Sequence, residues 1–341
     1  MKDISILIVE NNRANKLKRL LESIIKFAKP EAVEILVLIN GEGAESESLL
    51  KELILLHGNI RHFKSLNLNR GEARNLLIKM SEGKILYFLD DDVLVNKDVF
   101  TLISEKFQEN VDISIIGGPN LNMPDSSLFQ ECQGFALASF FGTLWVSQRY
   151  KKSGQDRRVD ESGLILCNLA ANKEIFSATN MCFPGNFISA EENLLLARFA
   201  RLGYKAMYVP QLEVFHERRA TYREFFRQIL TYGKGRAQIF KTFPSYINPI
   251  HFLPMVFLFC LVAAPFIKSQ AYLSALMLYP ALDLIFSLRI ACKKHDLRVF
   301  IILLFIFPTI HFAYALAFLT EILRINRKAL MRCSVILRNL T

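Results

Sequence analysis

The sequence predicts an α/β protein with a mostly parallel sheet, helices on both faces of that sheet, and membrane helices after it. Two observations carry this prediction. Up to about residue 240, short apolar runs rich in β-branched residues alternate with segments of helical periodicity. Beyond residue 248 the chain changes to three apolar stretches, each close to the roughly 20 residues that cross a bilayer.

Four apolar runs in the first part are predicted to be buried strands, because each is rich in branched or aromatic residues. They lie at residues 4–9, 34–39, 84–89 and 113–116. Helices are predicted between and after them, at residues 14–27, 46–56, 71–80 and 99–107. Strands and helices in this order build a parallel sheet, which binds ligands at the carboxyl ends of its strands. We therefore expect Glu10, Asn40 and the aspartates at positions 90–92 to converge at one edge.

Three adjacent aspartates, Asp90, Asp91 and Asp92, follow directly on the third apolar run. Adjacent carboxylates repel one another, so their assembly costs free energy unless they share a cation. Asp90 and Asp92 occupy alternate positions and would point to the same side if the strand continued. Oxygen ligands of this kind suit Mg²⁺ or Mn²⁺. The alternative is a solvated turn, in which Asp is common.

The three apolar stretches, at residues 249–267, 271–288 and 299–320, carry almost no charged side chains. We interpret residues 249–323 as a membrane region and residues 324–341 as a basic tail. The alternative is a set of buried helices in a soluble domain. The net charge is +10, and basic residues flank these stretches, which favours membrane lipids as partners over nucleic acid. No secretory signal pattern opens the chain, so residues 1–240 are expected to form a cytoplasmic domain.

The predicted topology contains a conflict. Three crossings that start from the cytoplasm would leave the basic tail outside, against the tendency of basic residues to stay inside. Either one stretch is re-entrant or interfacial, or the tail is an exception to that tendency. Pro254, Pro265 and Pro308 lie within the stretches and would make such breaks easier.

Several segments, taken in order, resemble a known family. They are "ISILIVENNRANKLKRLLESI", "EILVLINGEG", "NLNRGEARNLLIKMSEGKILYFLDDDV", "SAEENLLLARFARLGYKAMYVP" and "FHERRATYREFFRQILTYGKGRA". Over roughly residues 4–238 the chain looks like a family 2 glycosyltransferase with a GT-A fold. The last segment and the apolar tail resemble the membrane-associated branch of that family, which builds bacterial exopolysaccharides such as succinoglycan.

The resemblance implies a donor site for a nucleotide sugar, which we expect to be a uridine diphosphate sugar. Asp90 and Asp92 match the D-x-D motif of the family and would hold Mg²⁺ or Mn²⁺, which neutralises charge on the leaving diphosphate. The expected donor-binding residues are Val9, Glu10, Asn40, Arg74, Asp90, Asp91 and His216.

Two of these positions keep alternatives open. Arg74 belongs to the matching "ARN" of the helix before the aspartates, where an Arg could bind phosphate or lock the fold. Many family members carry a base-contacting Asp at the position of Ile39. Asn40 could replace that Asp, which leaves the identity of the nucleotide open.

Glu192 matches the catalytic base in the "ED" pair of the family. A base must take the proton of the acceptor hydroxyl, and partial burial beside other anions raises the pKa of a carboxylate for that task. Glu191 is the alternative for the same role. Both residues would stand at a helix start, where a carboxylate also interacts favourably with the helix dipole.

The acceptor side is expected near Gln228 and Tyr232, where processive members show a Q-x-x-R-W sequence. Thr231 and Tyr232 replace its Arg and Trp, which argues against a processive polymerase. Residues 222–240 mix apolar and basic side chains, as in a helix that lies in a membrane interface. Residues 134–146, which include Trp145, are interpreted either as an amphipathic segment near the acceptor or as a core helix.

Together these features predict an inverting, metal-dependent glycosyltransferase, multi-pass in the inner (cytoplasmic) membrane with its catalytic domain in the cytoplasm. It would move a sugar from a nucleotide donor to a lipid-linked glycan or polysaccharide. One alternative is a nucleotidyltransferase, although "VENNRANK" offers no glycine-rich nucleotide loop. The other is a membrane scaffold that has the fold without turnover.

Overall fold

The computed structural model describes residues 2–324. Its strands, numbered in chain order, are β1 (Ile4–Glu10), β2 (Val33–Asn40), β3 (Ile60–Ser65), β4 (Ile85–Asp90), β5 (Val93–Leu94), β6 (Ile113–Gly117), β7 (Asn120–Asn122), β8 (Arg157–Val159), β9 (Asn168–Asn172), β10 (Lys205–Tyr208) and β11 (Val214–His216). The four predicted strands are present, with ends shifted by no more than one residue. β3 was not predicted, because its mixed sequence "IRHFKS" is only partly buried at the edge of the sheet.

The helices surround the sheet and then continue alone. They are α1 (Ala14–Ile25), α2 (Ala44–Leu56), α3 (Arg70–Met80), α4 (Val99–Glu109), α5 (Leu128–Leu137), α6 (Phe140–Thr143), α7 (Glu174–Thr179), α8 (Glu191–Arg201), α9 (Tyr222–Thr242), α10 (Leu253–Ala263), α11 (Gln270–Lys294), α12 (Leu297–Pro308) and α13 (Tyr314–Leu323). A π-helical turn, Thr309–Ala313, joins α12 to α13 without a break.

Eight strands form the central sheet, in the order β3-β2-β1-β4-β9-β6-β10-β8. Six strands of this sheet run in the same direction, namely β3, β2, β1, β4, β6 and β10. The other two, β9 and β8, are antiparallel to their neighbours. A second sheet, in the order β5-β11-β7, begins directly after the aspartate triplet. The predicted α/β fold is confirmed, with a mainly parallel GT-A-like sheet, helices around it and three apolar helices at its C-terminal end.

Both faces of the central sheet are buried, each against its own set of helices. Ile6 and Ile8 of β1 pack on one face with Leu17 of α1. Leu7 points the other way and packs with Leu77 of α3. The twofold periodicity of a strand explains this alternation, and burial on both faces explains why the run is apolar throughout.

Three helical segments are long and apolar enough to cross a membrane, judged by length and composition. They are Pro249–Phe266, Gln270–Lys294 and Leu297–Leu323. A separate apolar core joins the last of them to the preceding domain, since Phe225 of α9 packs in one cluster with Leu303 and Phe307. The division into a domain of residues 1–240 and a membrane region of residues 249–323 stays a prediction, and the basic tail beyond Arg324 lies outside the described residues.

Residues 134–146 do not form one helix, because α5 ends at Leu137 and α6 is a separate short turn. Phe141 packs against Phe286 and Phe307, with ring centroids 5.3 and 5.0 Å apart. Phe140 and Trp145 point away and are exposed. This two-sided arrangement agrees with the amphipathic interpretation of the segment.

Candidate active site

The carboxyl ends of β1, β2 and β4 meet at one edge of the sheet, as predicted. Val9 pairs in register with Asp90, and Glu10 pairs with Ile39, next to Asn40. The side chain of Glu10 is fully buried there, and its Oε2 has no hydrogen-bond partner among the described residues. Because an unpaired buried carboxylate oxygen is costly, this atom is suited to receive a donor from a bound ligand.

The three aspartates occupy different environments at this edge. Asp90, the last residue of β4, has a side chain that is 42% exposed and lies 3.6 Å from Nη2 of Arg74. Asp91 and Asp92 are buried beneath it. Arg13 lies beside both buried carboxylates, with Nη1 at 3.0 Å from Asp91 Oδ1 and 3.4 Å from Asp92 Oδ2. Only Asp90 therefore fits the alternative interpretation of the triplet as a solvated turn.

The pKa values of the two buried aspartates move in opposite directions. Burial, and next the charge of Asp92, raise the pKa of Asp91 to about 7, although Arg13 opposes the shift. Burial also acts to raise the pKa of Asp92, but His216, Arg219 and Arg13 outweigh it and hold that pKa well below its usual range. Asp92 is therefore the carboxylate of this buried pair that stays ionised at neutral pH.

Asp90, Cys167 and His216 form a group that could hold a divalent cation, and Asp92 adjoins it through His216. One ligand atom each from Asp90, Cys167 and His216 lie within 4.8 Å of one another. His216 Nε2 is also 3.1 Å from Asp92 Oδ1, which is within ion-pair distance. The carboxylate and imidazole donors fit Mg²⁺ or, with the imidazole included, Mn²⁺.

Cys167 is the least suitable cation ligand in that group. Its sulfur is a soft ligand, whereas Mg²⁺ and Mn²⁺ prefer oxygen ligands. The sulfur also accepts a hydrogen bond of 3.2 Å from the side-chain amide of Asn120. Asp90 and His216 are therefore the better-suited ligands of that group, and Asp92 lies next to His216.

Arg74 connects this edge to the start of α8. Its Nη1 donates a 2.6 Å hydrogen bond to Glu191 Oε1, and its Nη2 faces Asp90. The helix that carries it is fixed at its N-terminus by a capping box between Asn69 and Glu72. In this structure the guanidinium locks two elements of the site together, which is one of the two roles considered for it.

Glu191 and Glu192 begin α8, as expected, but their surroundings differ. Glu191 is buried and paired with Arg74. Glu192 is only partly buried. Burial, and next the charge of Glu191, raise the pKa of Glu192, whereas Arg149 and Arg236 act against the shift. A partly accessible carboxylate with a raised pKa matches the requirements for a general base better than one held in an ion pair.

Asn40 is engaged with the backbone of a neighbouring loop. Its Nδ2 donates to the carbonyl oxygen of Leu68 at 2.8 Å, and its Oδ1 accepts from the N–H of the same residue at 3.0 Å. Asn75 forms the same kind of pair with Phe183, with both distances 2.9 Å. Both amides hold loops in place around the site, and Asn40 has little hydrogen-bonding capacity left for a nucleotide base.

Gln228 and Tyr232 lie one turn apart on α9, which starts with a capping box between Thr221 and Glu224. Tyr232 is 38% exposed. Burial raises the pKa of its hydroxyl, and the charge of Arg219, which lies 3.9 Å from Asp92, acts against that shift. Tyr232 and Asp92 therefore share Arg219 as a neighbouring cation.

Four cations of the site were not predicted. Arg13 and Arg219 lie at 3.4 and 3.9 Å from Asp92. Arg149 and Arg236 lie around Glu192. Arg13 and Arg219 stand in segments quoted for the family resemblance, "VENNRANK" and "FHERR". Because an acidic cluster needs counter-charges, these two arginines could have been predicted from the sequence. Nothing local in the sequence links the other two to Glu192.

Comparison with known proteins shows several similarities. The family model described as Glycosyl transferase family 2 matches residues 5–176, half of the 341-residue chain. The chain is 28% identical over 170 residues to the poly(ribitol-phosphate) beta-N-acetylglucosaminyltransferase TarP of Staphylococcus aureus (strain N315). That match covers 46% of this chain and 51% of TarP, so the chain spans about half the length of this curated relative.

Two solved structures share the fold. The mannosyltransferase PcManGT from Pyrobaculum calidifontis, solved in complex with GDP-Man and Mn²⁺, superposes with a TM-score of 0.63 at 15% identity. The superposition covers 94% of this chain and 87% of PcManGT. The crystal structure of S. aureus TarS 1-349 gives a TM-score of 0.50 at 15% identity, with 74% of this chain and 68% of TarS covered. At this level of identity the two likenesses concern the fold alone.

Proposed function

Because the chain belongs to glycosyl transferase family 2, we propose that it is an inverting, metal-dependent enzyme that transfers a sugar from a nucleotide diphosphate donor to a polymer or lipid-linked glycan at the inner membrane. That it is a glycosyltransferase follows from the family. The observation that carries the finer proposal is that Asp90 and Asp92 both lie beside His216, while Arg74 joins Asp90 to Glu191 at the start of α8.

The donor half of the proposal rests on the charges at the sheet edge. Asp90, Asp92 and His216 would hold Mg²⁺ or Mn²⁺, which when bound supplies a Lewis acid that neutralises charge on the leaving diphosphate. Arg13 and Arg219 lie beside the same carboxylates and would add to the attraction of the phosphates. PcManGT was solved with GDP-Man and Mn²⁺, which supports this class of donor and cation. We propose uridine diphosphate sugars as the first donors to test.

The transfer step uses Glu192. The acceptor hydroxyl oxygen forms a bond to the anomeric carbon while the bond from that carbon to the diphosphate breaks. The hydroxyl proton passes to Glu192, and one displacement inverts the anomeric centre. Glu191 keeps Arg74 in position and is thereby committed to the fold of the site. Gln228 and Tyr232, on α9, would border the acceptor.

The acceptor and the membrane location are proposed on different grounds. The name of TarP describes transfer of N-acetylglucosamine to poly(ribitol-phosphate), a polymer, and this supports a polymeric or glycan acceptor here. The three apolar segments support residence in the membrane, with the catalytic domain in the cytoplasm. The exopolysaccharide branch that the sequence resembles stays a proposal.

The test is a donor screen with purified protein, a lipid extract as acceptor, and the release of nucleotide diphosphate as the signal. UDP-linked and GDP-linked sugars are compared, each with Mg²⁺, with Mn²⁺ and with excess chelator. We expect release with one donor class and its loss in chelator. No release from any donor would refute turnover and favour the scaffold alternative, and release that survives chelation would refute the metal. A nucleotidyltransferase would instead release inorganic pyrophosphate from a nucleoside triphosphate.

Membrane residence is tested separately by washing. The chain should remain with the membrane fraction through a high-salt wash, because burial of apolar segments does not depend on headgroup charge. Release of the chain by salt would mean that it binds membranes only through its basic residues.

A further inference from the structure

We infer that the third apolar segment, Leu297–Leu323, does not cross the bilayer but lies along the catalytic domain on its membrane-facing side. Arg324 is then on the same side of the membrane as the active site. This inference rests on the proposed membrane residence. It resolves the conflict in the topology that three crossings would create.

The beginning of the segment contacts the catalytic domain. Val299 packs in one apolar cluster with Cys132 and Ala136 of α5. The end of the second segment, three residues earlier, also contacts α5, since Nζ of Lys294 lies 4.2 Å from the ring centre of Phe135. The N-terminal end of the third segment is therefore held at the catalytic side.

The middle of the segment runs beside α9. Tyr222 Oη, at the start of α9, is 2.6 Å from Thr309 Oγ1. Further along, a Cβ atom on Gly233 would lie 2.4 Å from the carbonyl oxygen of Tyr314, so the two helix backbones are in direct contact. Because these contacts advance in the same direction along both helices, α9 and the third segment pack side by side along their lengths.

The end of the segment contacts α9 as well. Lys241 Nζ, in the last turn of α9, donates hydrogen bonds of 3.0 Å to the carbonyl oxygens of both Glu321 and Arg324. The two ends of the segment are thus bound to α5 and to α9, elements that precede the first apolar segment. A helix whose two ends lie on one domain cannot also reach from one face of a bilayer to the other.

α9 itself cannot be submerged to allow a crossing. Arg223 and Arg227 are exposed on it, and charged side chains are very costly in the hydrocarbon core. On its other side α9 is joined to the catalytic domain, where Arg236 Nη2 donates to Asn193 Oδ1 of α8 at 2.9 Å. The third segment therefore lies at the depth of α9, which is the level of the membrane interface.

The other two apolar segments also contact the third, through Phe257 with Phe312 and Tyr279 with His311, but they are much more exposed. Buried residues make up 44% of the most apolar stretch of the third segment, but only 6% of Pro249–Phe266 and 17% of Gln270–Lys294. These two are joined by a short link, and Phe266 at that link is 84% exposed. Tyr272 donates a hydrogen bond to the carbonyl oxygen of Cys260, and Phe257 stacks on Tyr279 with ring centroids 4.6 Å apart, so the two segments run antiparallel. As a hairpin they enter the membrane and return, so the chain comes back to its starting side.

The distribution of basic residues agrees with this arrangement. Arg289, Lys293 and Lys294 stand at the returning end of the hairpin, followed by Arg298 and, after the third segment, Arg324. All of these are then on the cytoplasmic side, as the positive-inside tendency requires. With three crossings, Arg324 would be outside.

Cysteine labelling in sealed vesicles of known orientation tests the inference. Native Cys182 is exposed on the catalytic domain and marks its side of the membrane. Cys260, Cys292 and Cys333 are replaced by Ser, and Arg324→Cys is introduced, at a side chain that is 74% exposed. Leu323→Cys is a second variant, in case the first fails to accumulate. A membrane-impermeant maleimide is then applied to inside-out and right-side-out vesicles.

We expect the new cysteine to react in the same vesicles as Cys182, to at least about half of its extent, and to be unreactive in the others until they are permeabilised. Reaction in the opposite vesicles would show that the segment crosses, and would overturn the inference while leaving membrane residence intact. Reaction only in detergent would place position 324 within the bilayer and overturn it equally. Recovery of the unaltered chain in the soluble fraction would refute membrane residence, and this inference with it.

Discussion

Glu192→Gln separates the role of Glu192 from that of its neighbour. Gln keeps the size of the side chain and one oxygen acceptor but cannot take the proton of the acceptor hydroxyl. A positioned general base is worth about 10²- to 10⁴-fold in rate, which corresponds to roughly 2.7–5.5 kcal/mol of barrier. We expect kcat for sugar transfer to fall by that factor, measured as nucleotide diphosphate release.

The stability of this variant is expected to hold. The pKa of Glu192 is raised by burial and then by Glu191, which means that folding disfavours its ionised form. Its charge at neutral pH therefore costs stability, and the neutral amide removes that cost. The thermal midpoint should stay the same or rise. Donor binding, measured by titration calorimetry, should be unchanged, because the residues assigned to the donor lie at the aspartate edge.

Glu191→Gln is the matched control and should show the reverse pattern. It removes the charge that pairs with Arg74 at 2.6 Å, in a contact where the two side chains are only 4% and 12% exposed. Loss of one partner of a buried ion pair costs up to about 3–5 kcal/mol, so the thermal midpoint should fall. Transfer by the folded fraction should fall by less than about tenfold. An inactive Glu191→Gln that folds normally, beside an active Glu192→Gln, would show that the two roles are exchanged.

Three further predictions follow from the same geometry. The kcat/KM of the unaltered enzyme should fall as the pH drops through the pKa of Glu192, which lies above the usual 4.5. This decrease at low pH should be absent from the residual activity of Glu192→Gln. Asp92→Asn should weaken Mn²⁺ binding, followed by electron paramagnetic resonance of the free ion, by at least the roughly 10–100-fold that is typical when a residue supporting a metal ligand is replaced. Asp125→Asn, at a side chain that is 64% exposed, should leave Mn²⁺ binding unaltered, and equal affinity in both variants would exclude Asp92 as a ligand. Asn40→Ala should lower the free energy of unfolding by about 1–3 kcal/mol, because it removes two hydrogen bonds to the partly buried backbone of Leu68, and should not alter the preferred nucleotide. A changed nucleotide preference at unchanged stability would restore the base-contacting role.

Much of the fold could be predicted from local patterns. The four strands from 4–9 to 113–116 were predicted almost to the residue, because strands buried on both faces read as continuous apolar runs. β3 escaped prediction because an edge strand buries less and tolerates polar residues. The antiparallel β9 in the middle of the sheet also escaped, since the pairing of β9 with β4 and β6 joins parts of the chain far apart in sequence.

For the candidate site, sequence reasoning supplied the residues, and the structure supplied their partners. Asp90, Asp92, His216 and Glu192 could be proposed from motif order and from the rule that strand ends share an edge. The sequence could not show which of the two adjacent glutamates is held in an ion pair, because the partner, Arg74, lies 117 positions from Glu191 in the chain.

The sequence by itself determined the class of the protein: a mainly parallel α/β domain, an acidic edge at its strand ends, and three apolar segments. These properties follow from periodicity and composition, which are local. Only the tertiary structure decided what each group faces, and so which carboxylates are charged, which arginine locks the fold, and where the third apolar segment lies. Length and composition cannot tell a spanning helix from one that packs on a domain, because both must be apolar. The difference is made by contacts such as that of Lys241 with Glu321 and Arg324, which form only when distant parts of the chain meet.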